Sequence, residues 1–174
     1  MSTSFHRCTL RNTCSSTPPA SSGSSSGQTA QVEEFDLARF VDAQEQDGTF
    51  ERAMREVAQG RKVSHWMWFV YPQLAGLGTS PTARFYAISG LDEARAYLAH
   101  PVLGERIRVA ARVAAQVERR SAEEVFGSVD ADKLRSSMTL FGAADPSEPA
   151  FQSVLDRYFA GQADQLSLRL LGAG

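Results

Sequence analysis

The residues best suited to chemistry are concentrated between positions 62 and 73, where both tryptophans of the chain, Trp66 and Trp68, lie close together. A serine and a histidine, Ser64 and His65, directly precede Trp66. Aromatic faces can stack on a base or a sugar, and an imidazole can act as a general acid or base near neutral pH. We therefore interpret this aromatic stretch (residues 62–73) as a candidate site with His65 as a candidate catalytic residue.

The candidate ligand-binding residues of the aromatic stretch combine rings with polar or charged groups. The Lys62 ammonium group can bind a phosphate, and the indole and phenol rings supply flat surfaces on which a base or a sugar can stack. The full set is Lys62, Ser64, Trp66, Trp68, Tyr71 and Gln73. The alternative interpretation is an aromatic core segment whose histidine bonds a backbone carbonyl.

A second candidate group lies at residues 132–141, where hydroxyl residues follow one another inside a predicted helix. Consecutive hydroxyls lower helix propensity, so their presence hints at a contact. We take Ser137 as a candidate catalytic residue and Lys133, Ser136 and Thr139 as candidate ligand-binding residues. The alternative is that these hydroxyls bond carbonyl groups one turn back in the helix.

Several familiar chemistries are not supported by spacing. A serine-hydrolase triad is disfavoured because adjacent Ser64 and His65 would not usually face each other and no Gly-x-Ser-x-Gly elbow occurs. His65 and His100 have no partner at metal-ligand spacing, so we predict no metal site. Gly76-x-Gly78 lacks the third glycine and the preceding strand of a dinucleotide loop, and we predict no cofactor.

Composition limits the class of protein. The 174 residues have room for one ordinary domain, and a net charge of −2 argues against general nucleic-acid binding. No apolar run approaches the roughly 18–20 residues that span a bilayer, so we expect no membrane association through a helix. A protein partner is left unknown at this stage, and the predicted location is cytoplasmic.

Residues 1–31 differ from the rest of the chain, because they are rich in serine and threonine and contain no acid. Such a segment cannot bury enough apolar surface to offset the entropy lost on ordering. We predict a disordered tail at residues 1–31 and one domain at residues 32–174. The alternative is an organelle transit peptide, which is also rich in serine and contains arginine.

From Phe35 onward the apolar residues recur with helical spacing and show no alternating strand pattern. We predict an all-α, compact single domain, an orthogonal bundle of about seven to eight helices. Ser121 and Glu124 predict a capping box, and Asp130 is predicted to cap the helix that carries Leu134, Met138 and Phe141 on its core face.

Two strings carry a family resemblance: Ser64-His65-Trp66-Met67-Trp68-Phe69 and Lys133-Leu134-Arg135-Ser136-Ser137-Met138-Thr139-Leu140-Phe141. With them, and with His100-Pro101-Val102-Leu103-Gly104, the chain resembles the family called domain of unknown function 1810 from about residue 35 to 171. The resemblance implies a compact, mainly helical fold and no established activity. Bacterial members sometimes carry the label calpastatin, but Thr17-Pro18-Pro19-Ala20 lacks the Tyr-Arg that such an inhibitor needs, so we reject protease inhibition.

Two hypotheses about function remain. The first is a domain that binds or hydrolyses a nucleotide-like ligand of the ADP-ribose type. His100-Pro101-x-x-Gly104 and Lys133-x-x-x-x-Met138 are loosely similar to helical domains implicated in ADP-ribose metabolism, although a likeness of fold does not transfer a reaction. The second is a non-enzymatic interaction module whose aromatic stretch is core or partner surface. Burial discriminates between them, because a ligand site needs a cavity beside these residues.

Overall fold

The computed structural model describes residues 35–172 of the chain. The predicted tail at residues 1–31 lies outside the described residues, and the domain boundary at residue 32 stays a prediction. No helix between residues 35 and 172 is both long enough and apolar enough to cross a membrane.

The described chain is all-α, as predicted. Its helices are α1 Ala38–Glu45, α2 Thr49–Ala58, α3 Met67–Val70, α4 Pro81–Phe85, α5 Leu91–Ala99, α6 Leu103–Ala115, α7 Ala122–Phe126, α8 Ser128–Ala144, α9 Pro149–Phe159 and α10 Gln165–Leu170, with a 3₁₀ turn at Gln46–Gly48. An isolated parallel bridge joins Leu74 to Ile88. The described residues form more helices than the seven to eight predicted. Helices α3 and α4 are too short to show a periodic pattern of apolar residues in the sequence.

The core is centred on α8, which packs against α5, α7, α9 and α10. Leu134, Met138 and Phe141 are completely buried, as their spacing predicted. The Phe141 ring lies 5.2 Å from the Tyr97 ring of α5 and 5.8 Å from the Phe151 ring of α9, centroid to centroid. Helix α8 therefore serves as the support on which the neighbouring helices are placed.

One of the two predicted helix caps is present. The capping box of Ser121 and Glu124 is present at α7, and Asp164 caps α10 through the Ser167 amide. The prediction for Asp130 was wrong, because α8 begins three residues earlier than a helix capped by Asp130 would, directly after Gly127 at φ 82°. Asp130 thus lies in the first turn of α8, where its carboxylate is available to other side chains.

The corner between α5 and α6 is built by His100 and Gly104. The His100 Nδ1 accepts hydrogen bonds from the Val102 and Leu103 amides, at 3.2 and 3.3 Å, and so covers donors that a helix start leaves unpaired. Gly104 packs so tightly that an added Cβ would lie 2.1 Å from the Leu98 carbonyl oxygen. The His-Pro-x-x-Gly string is therefore explained by packing at this corner.

Candidate ligand-binding site

The aromatic stretch is held against α2 by Glu56. The Glu56 carboxylate accepts hydrogen bonds from the Val63 amide at 2.7 Å, the Ser64 amide at 2.9 Å and the Trp66 indole Nε1 at 2.9 Å, and also from the Ser64 hydroxyl. Burial raises the pKa of Glu56, but the hydrogen bonds outweigh it and bring the pKa from 4.5 to about 2. The sequence did not reveal Glu56, because nothing in its spacing distinguishes it from a surface acid on α2.

Trp66 and Tyr71 are core residues. Both are completely buried, their rings lie 6.1 Å apart, and the Tyr71 hydroxyl donates to the Ala110 carbonyl at 2.8 Å. Burial, with the nearby Tyr158, raises the pKa of Tyr71. Neither ring offers a face on which a ligand can stack without opening the core.

The two candidate catalytic residues lie in different environments. His65 is exposed and forms no hydrogen bond with any described residue. Ser137 is completely buried in α8, and its Oγ has no partner among the described residues. The Ser64 hydroxyl donates a hydrogen bond to Glu56.

Within residues 35–172 no group of three or more His, Cys, Asp or Glu side chains could hold a metal ion.

The two candidate lysines, Lys62 and Lys133, share one carboxylate. The Asp130 carboxylate forms ion pairs with the Lys62 Nζ at 2.8 Å and with the Lys133 Nζ at 2.6 Å. Burial raises the pKa of Asp130, but the hydrogen bonds and charges of the two lysines outweigh it and lower the pKa. The side chains are sheltered from water, with exposed fractions of 9% for Lys62 and 18% for Lys133.

Each of these lysines also faces a tryptophan. The Lys62 Nζ lies 5.2 Å from the centroid of the Trp66 ring, and the Lys133 Nζ lies 4.9 Å from that of Trp68. Both distances are within the range of a cation–π interaction. The aromatic stretch and the start of α8 therefore form one basic and aromatic surface.

A cavity of about 380 Å³ opens beside this surface, and we call it the Trp68 groove. Its lining consists of Trp68, Gln73, Leu77, Gly78, Thr79, Ser80, Ala83, Val129, Asp132 and Lys133. Trp68 and Gln73 are half-buried, and the Gln73 Nε2 donates to the Ser136 Oγ at 2.7 Å. The structure thus places three predicted ligand-binding residues, Trp68, Gln73 and Lys133, around one cavity.

The Ser136 and Thr139 hydroxyls donate to carbonyl groups one turn back in α8, as the alternative interpretation of these hydroxyls predicted. Both hydroxyls also accept hydrogen bonds from other segments. The Ser136 Oγ donates to the Lys133 carbonyl at 3.1 Å and accepts from Gln73. The Thr139 Oγ1 donates to the Arg135 carbonyl at 2.8 Å and accepts from the Asp164 amide at 2.8 Å. Thr139 therefore fixes the start of α10, whereas Ser136 holds Gln73 at the groove.

The two adjacent serines of α8 give a matched prediction. Replacing Ser137 by alanine should raise the free energy of unfolding by about 1 kcal/mol, because a buried hydroxyl without a partner is removed and alanine favours the helix. Ser136→Ala should lower it by about 1 kcal/mol, because Gln73 loses its acceptor. Urea denaturation of both variants tests the pair. A loss at Ser137 equal to that at Ser136 would contradict the assigned environment.

These features define an all-helical domain that carries a cavity lined by a tryptophan, an amide and a lysine. The chain belongs to the family described as protein of unknown function (DUF1810), whose model matches residues 34–171. It is similar to the conserved hypothetical protein Rv1873 from Mycobacterium tuberculosis, known from a crystal structure at 1.38 Å. The two are 46% identical, the match covers 80% of this chain and 99% of that one, and the TM-score is 0.77. None of the curated proteins matches the chain. The resemblance read from the sequence is therefore confirmed.

Proposed function

We propose that the Trp68 groove binds a small nucleotide-like ligand of the ADP-ribose type, in which a flat ring meets Trp68 and an anionic group meets Lys133. The observation that carries the proposal is the pairing of two sheltered ammonium groups with one carboxylate, directly beside a half-exposed indole.

The charges around Asp130 favour an anion. Lys62 and Lys133 together carry two positive charges against one negative charge on Asp130, so one positive charge is left over in a region largely removed from water. Sheltered charges are costly unless they are paired, and a phosphate on a ligand would supply the missing negative charge. Asp132 also lines the groove, but it is exposed and its charge is therefore well solvated.

The shape and the lining of the groove suit a ring with polar edges. Its volume of about 380 Å³ falls within the range of small-molecule sites, which combine apolar walls with a few placed polar groups. Leu77 and Val129 supply apolar wall. Gln73 keeps its amide carbonyl free of any described partner while its amino group is fixed on Ser136. An amide oriented in this way can accept a hydrogen bond from a base or a carboxamide.

The lining favours binding over hydrolysis. Neither His65 nor Ser137 is among the residues around the groove. A general acid or base must come within hydrogen-bond reach of the reacting group, so these residues give no support to a reaction there. The alternative is a non-enzymatic interaction module whose aromatic stretch is core or partner surface. The complete burial of Trp66 supports a core role for that residue, whereas Trp68 is half-buried beside a cavity.

Thermal melting of the full chain with nucleotides, NAD and ADP-ribose tests the proposal. A ligand at about 100 times its dissociation constant should stabilise the protein by about 2.7 kcal/mol, which is a readable rise in melting temperature. We expect the rise to disappear in Lys133→Gln and to be at least halved in Trp68→Leu, because these changes remove the cation and the flat ring from the groove.

Arg95→Gln is the matched control for Lys133→Gln. It removes one positive charge from an exposed pair with Asp92 at the same three-residue helical spacing as Lys133 and Asp130, but away from the groove. The ligand-induced rise should be retained in this variant. No rise with any compound in a cooperatively melting protein, or an equal loss in both charge variants, would reject the proposal.

A further inference from the structure

A second cavity, of about 250 Å³, lies on the α2 side of the aromatic stretch, and we call it the Arg52 pocket. Residues of its wall that matter here are Thr49, Arg52, His65, Phe69 and Tyr86. The sequence pointed to His65 alone among these five. Arg52 was missed because an arginine on an amphipathic helix gives no signal that it lacks a partner.

The guanidinium of Arg52 is incompletely satisfied. Its Nη2 donates to the Thr49 Oγ1 at 2.8 Å, but its Nε is buried and has no hydrogen-bond partner among the described residues. No described carboxylate lies within ion-pair distance of it. Glu56, one turn later on α2, has its carboxylate engaged by Val63, Ser64 and Trp66.

Arg52 is an exception among the half-buried arginines of residues 35–172. The five other half-buried arginines among the described residues all donate to carboxylates or carbonyls: Arg39, Arg106, Arg108, Arg135 and Arg157. A guanidinium stays charged at any relevant pH, and a buried donor without an acceptor costs free energy. Arg52 Nε and Ser137 Oγ are the two buried side-chain polar atoms without a hydrogen-bond partner among the described residues, and only Arg52 carries a charge.

The rest of the pocket wall complements an acid group attached to a ring. The His65 imidazole and the Tyr86 hydroxyl have no hydrogen-bond partner among the described residues, so both can donate. Burial raises the pKa of Tyr86, which keeps its hydroxyl protonated; Arg39 opposes this shift and Asp42 adds to it. The rings of Phe69 and Tyr86 lie 5.3 Å apart and form an apolar wall.

We propose that the Arg52 pocket is a separate binding site for the oxyanion of a small molecule, a phosphate or a carboxylate, held by the Arg52 guanidinium with His65 and Tyr86 as further donors. The planar fork of an arginine matches both oxyanions with two parallel hydrogen bonds. The cavity volume leaves room for a small ring or sugar beside the acid group. The site does not depend on the Trp68 groove.

Calorimetric titration of the full chain with phenyl phosphate, benzoate and the neutral analogue benzamide tests the inference and distinguishes the two oxyanions. We expect phenyl phosphate or benzoate to bind, and benzamide to bind at least tenfold more weakly. Arg52→Gln should weaken the anion at least tenfold. The matched control Arg55→Gln, an exposed arginine on the same helix, should stay within about twofold of the unchanged protein.

Phenyl phosphate and benzoate also carry the ring and the anion proposed for the Trp68 groove, and Lys133→Gln separates the two sites. Binding that depends on Arg52 should persist unchanged in Lys133→Gln, because Lys133 does not line the Arg52 pocket. The inference is overturned if neither anion binds, if benzamide binds equally well, if Arg52→Gln and Arg55→Gln weaken binding alike, or if Lys133→Gln alone weakens it. A second measurement avoids variants altogether: in nuclear magnetic resonance spectra of the unchanged protein, the anion should shift the Arg52 Nε–H signal. An unshifted signal at saturating anion would also overturn the inference.

Discussion

Replacing Glu56 by glutamine is expected to lower the free energy of unfolding by about 2–3 kcal/mol at pH 7. The carboxylate accepts from two amides, an indole and a hydroxyl, and hydrogen bonds to a charged acceptor are stronger than neutral ones. One carboxylate oxygen accepts from the Val63 amide, the Ser64 amide and the Trp66 indole, and the other accepts from the Ser64 hydroxyl. A glutamine oxygen can replace only one of the two, so the Ser64 hydroxyl loses its acceptor and the three other bonds lose the negative charge that strengthens them. Urea denaturation measures the difference.

The loss should depend on pH in a direction set by the pKa of Glu56. Because the folded-state pKa is lowered from 4.5 to about 2, the stabilisation by the carboxylate is complete above about pH 5 and is lost as pH falls towards 2. The difference between the unchanged protein and Glu56→Gln should therefore shrink between pH 6 and pH 3. Glutamine does not titrate and provides the reference at each pH.

Glu51→Gln is the matched control for this prediction. Glu51 lies on the same helix, is exposed and accepts no hydrogen bond from a described residue. Its replacement removes the same charge and should change the free energy of unfolding by no more than about 0.5 kcal/mol. Equal effects of the two substitutions would mean that Glu56 does not hold the aromatic stretch.

Replacing Gly104 by alanine is expected to cost about 3 kcal/mol or more, with a melting temperature lowered accordingly. The added Cβ would lie 2.1 Å from the Leu98 carbonyl oxygen and 2.9 Å from its carbon. Both atoms belong to the backbone at the end of α5, so no rotamer change relieves the clash and the two helices must separate. Thermal melting followed by circular dichroism measures the loss.

Gly142→Ala provides the comparison within α8. A Cβ there would approach only the Phe151 Cβ, at 3.8 Å, which is an ordinary contact. Since alanine favours a helix over glycine by about 1 kcal/mol, this variant should be as stable as the unchanged protein or more stable. If Gly104→Ala behaved like Gly142→Ala, the close approach of α5 and α6 would be refuted.

The parts of the fold that could be predicted are those that follow from the helical spacing of apolar residues and from capping residues. The core face of Leu134, Met138 and Phe141 and the capping box at Ser121 followed from local spacing, and all were confirmed. The Asp130 cap was wrong because α8 begins three residues earlier, directly after Gly127, a glycine at positive φ. Such a start depends on backbone geometry that composition does not reveal.

The candidate site was predictable only as a region of the chain. Spacing could not tell that Trp66 is buried while Trp68, two residues later, is partly open, because a single-turn helix sends neighbouring side chains in different directions. It also could not show that Lys62 and Lys133 meet at Asp130, since that contact joins segments almost 70 residues apart. The roles of Glu56 and Arg52 depend on their partners, or on the lack of one, and appear only in three dimensions.

The Glu56 contacts also bear on the order in which the two cavities form during folding. Glu56 joins residues seven to ten positions further along the chain, and closing so short a loop costs little entropy and takes well under a microsecond. The Arg52 pocket is built from residues 43–86 alone, whereas the Trp68 groove also needs residues 129–133 of α8. The pocket wall can thus assemble from nearby chain, while the groove waits for long-range closure. Helix α8 thus contributes three residues to the groove lining, Val129, Asp132 and Lys133, and none to the pocket lining.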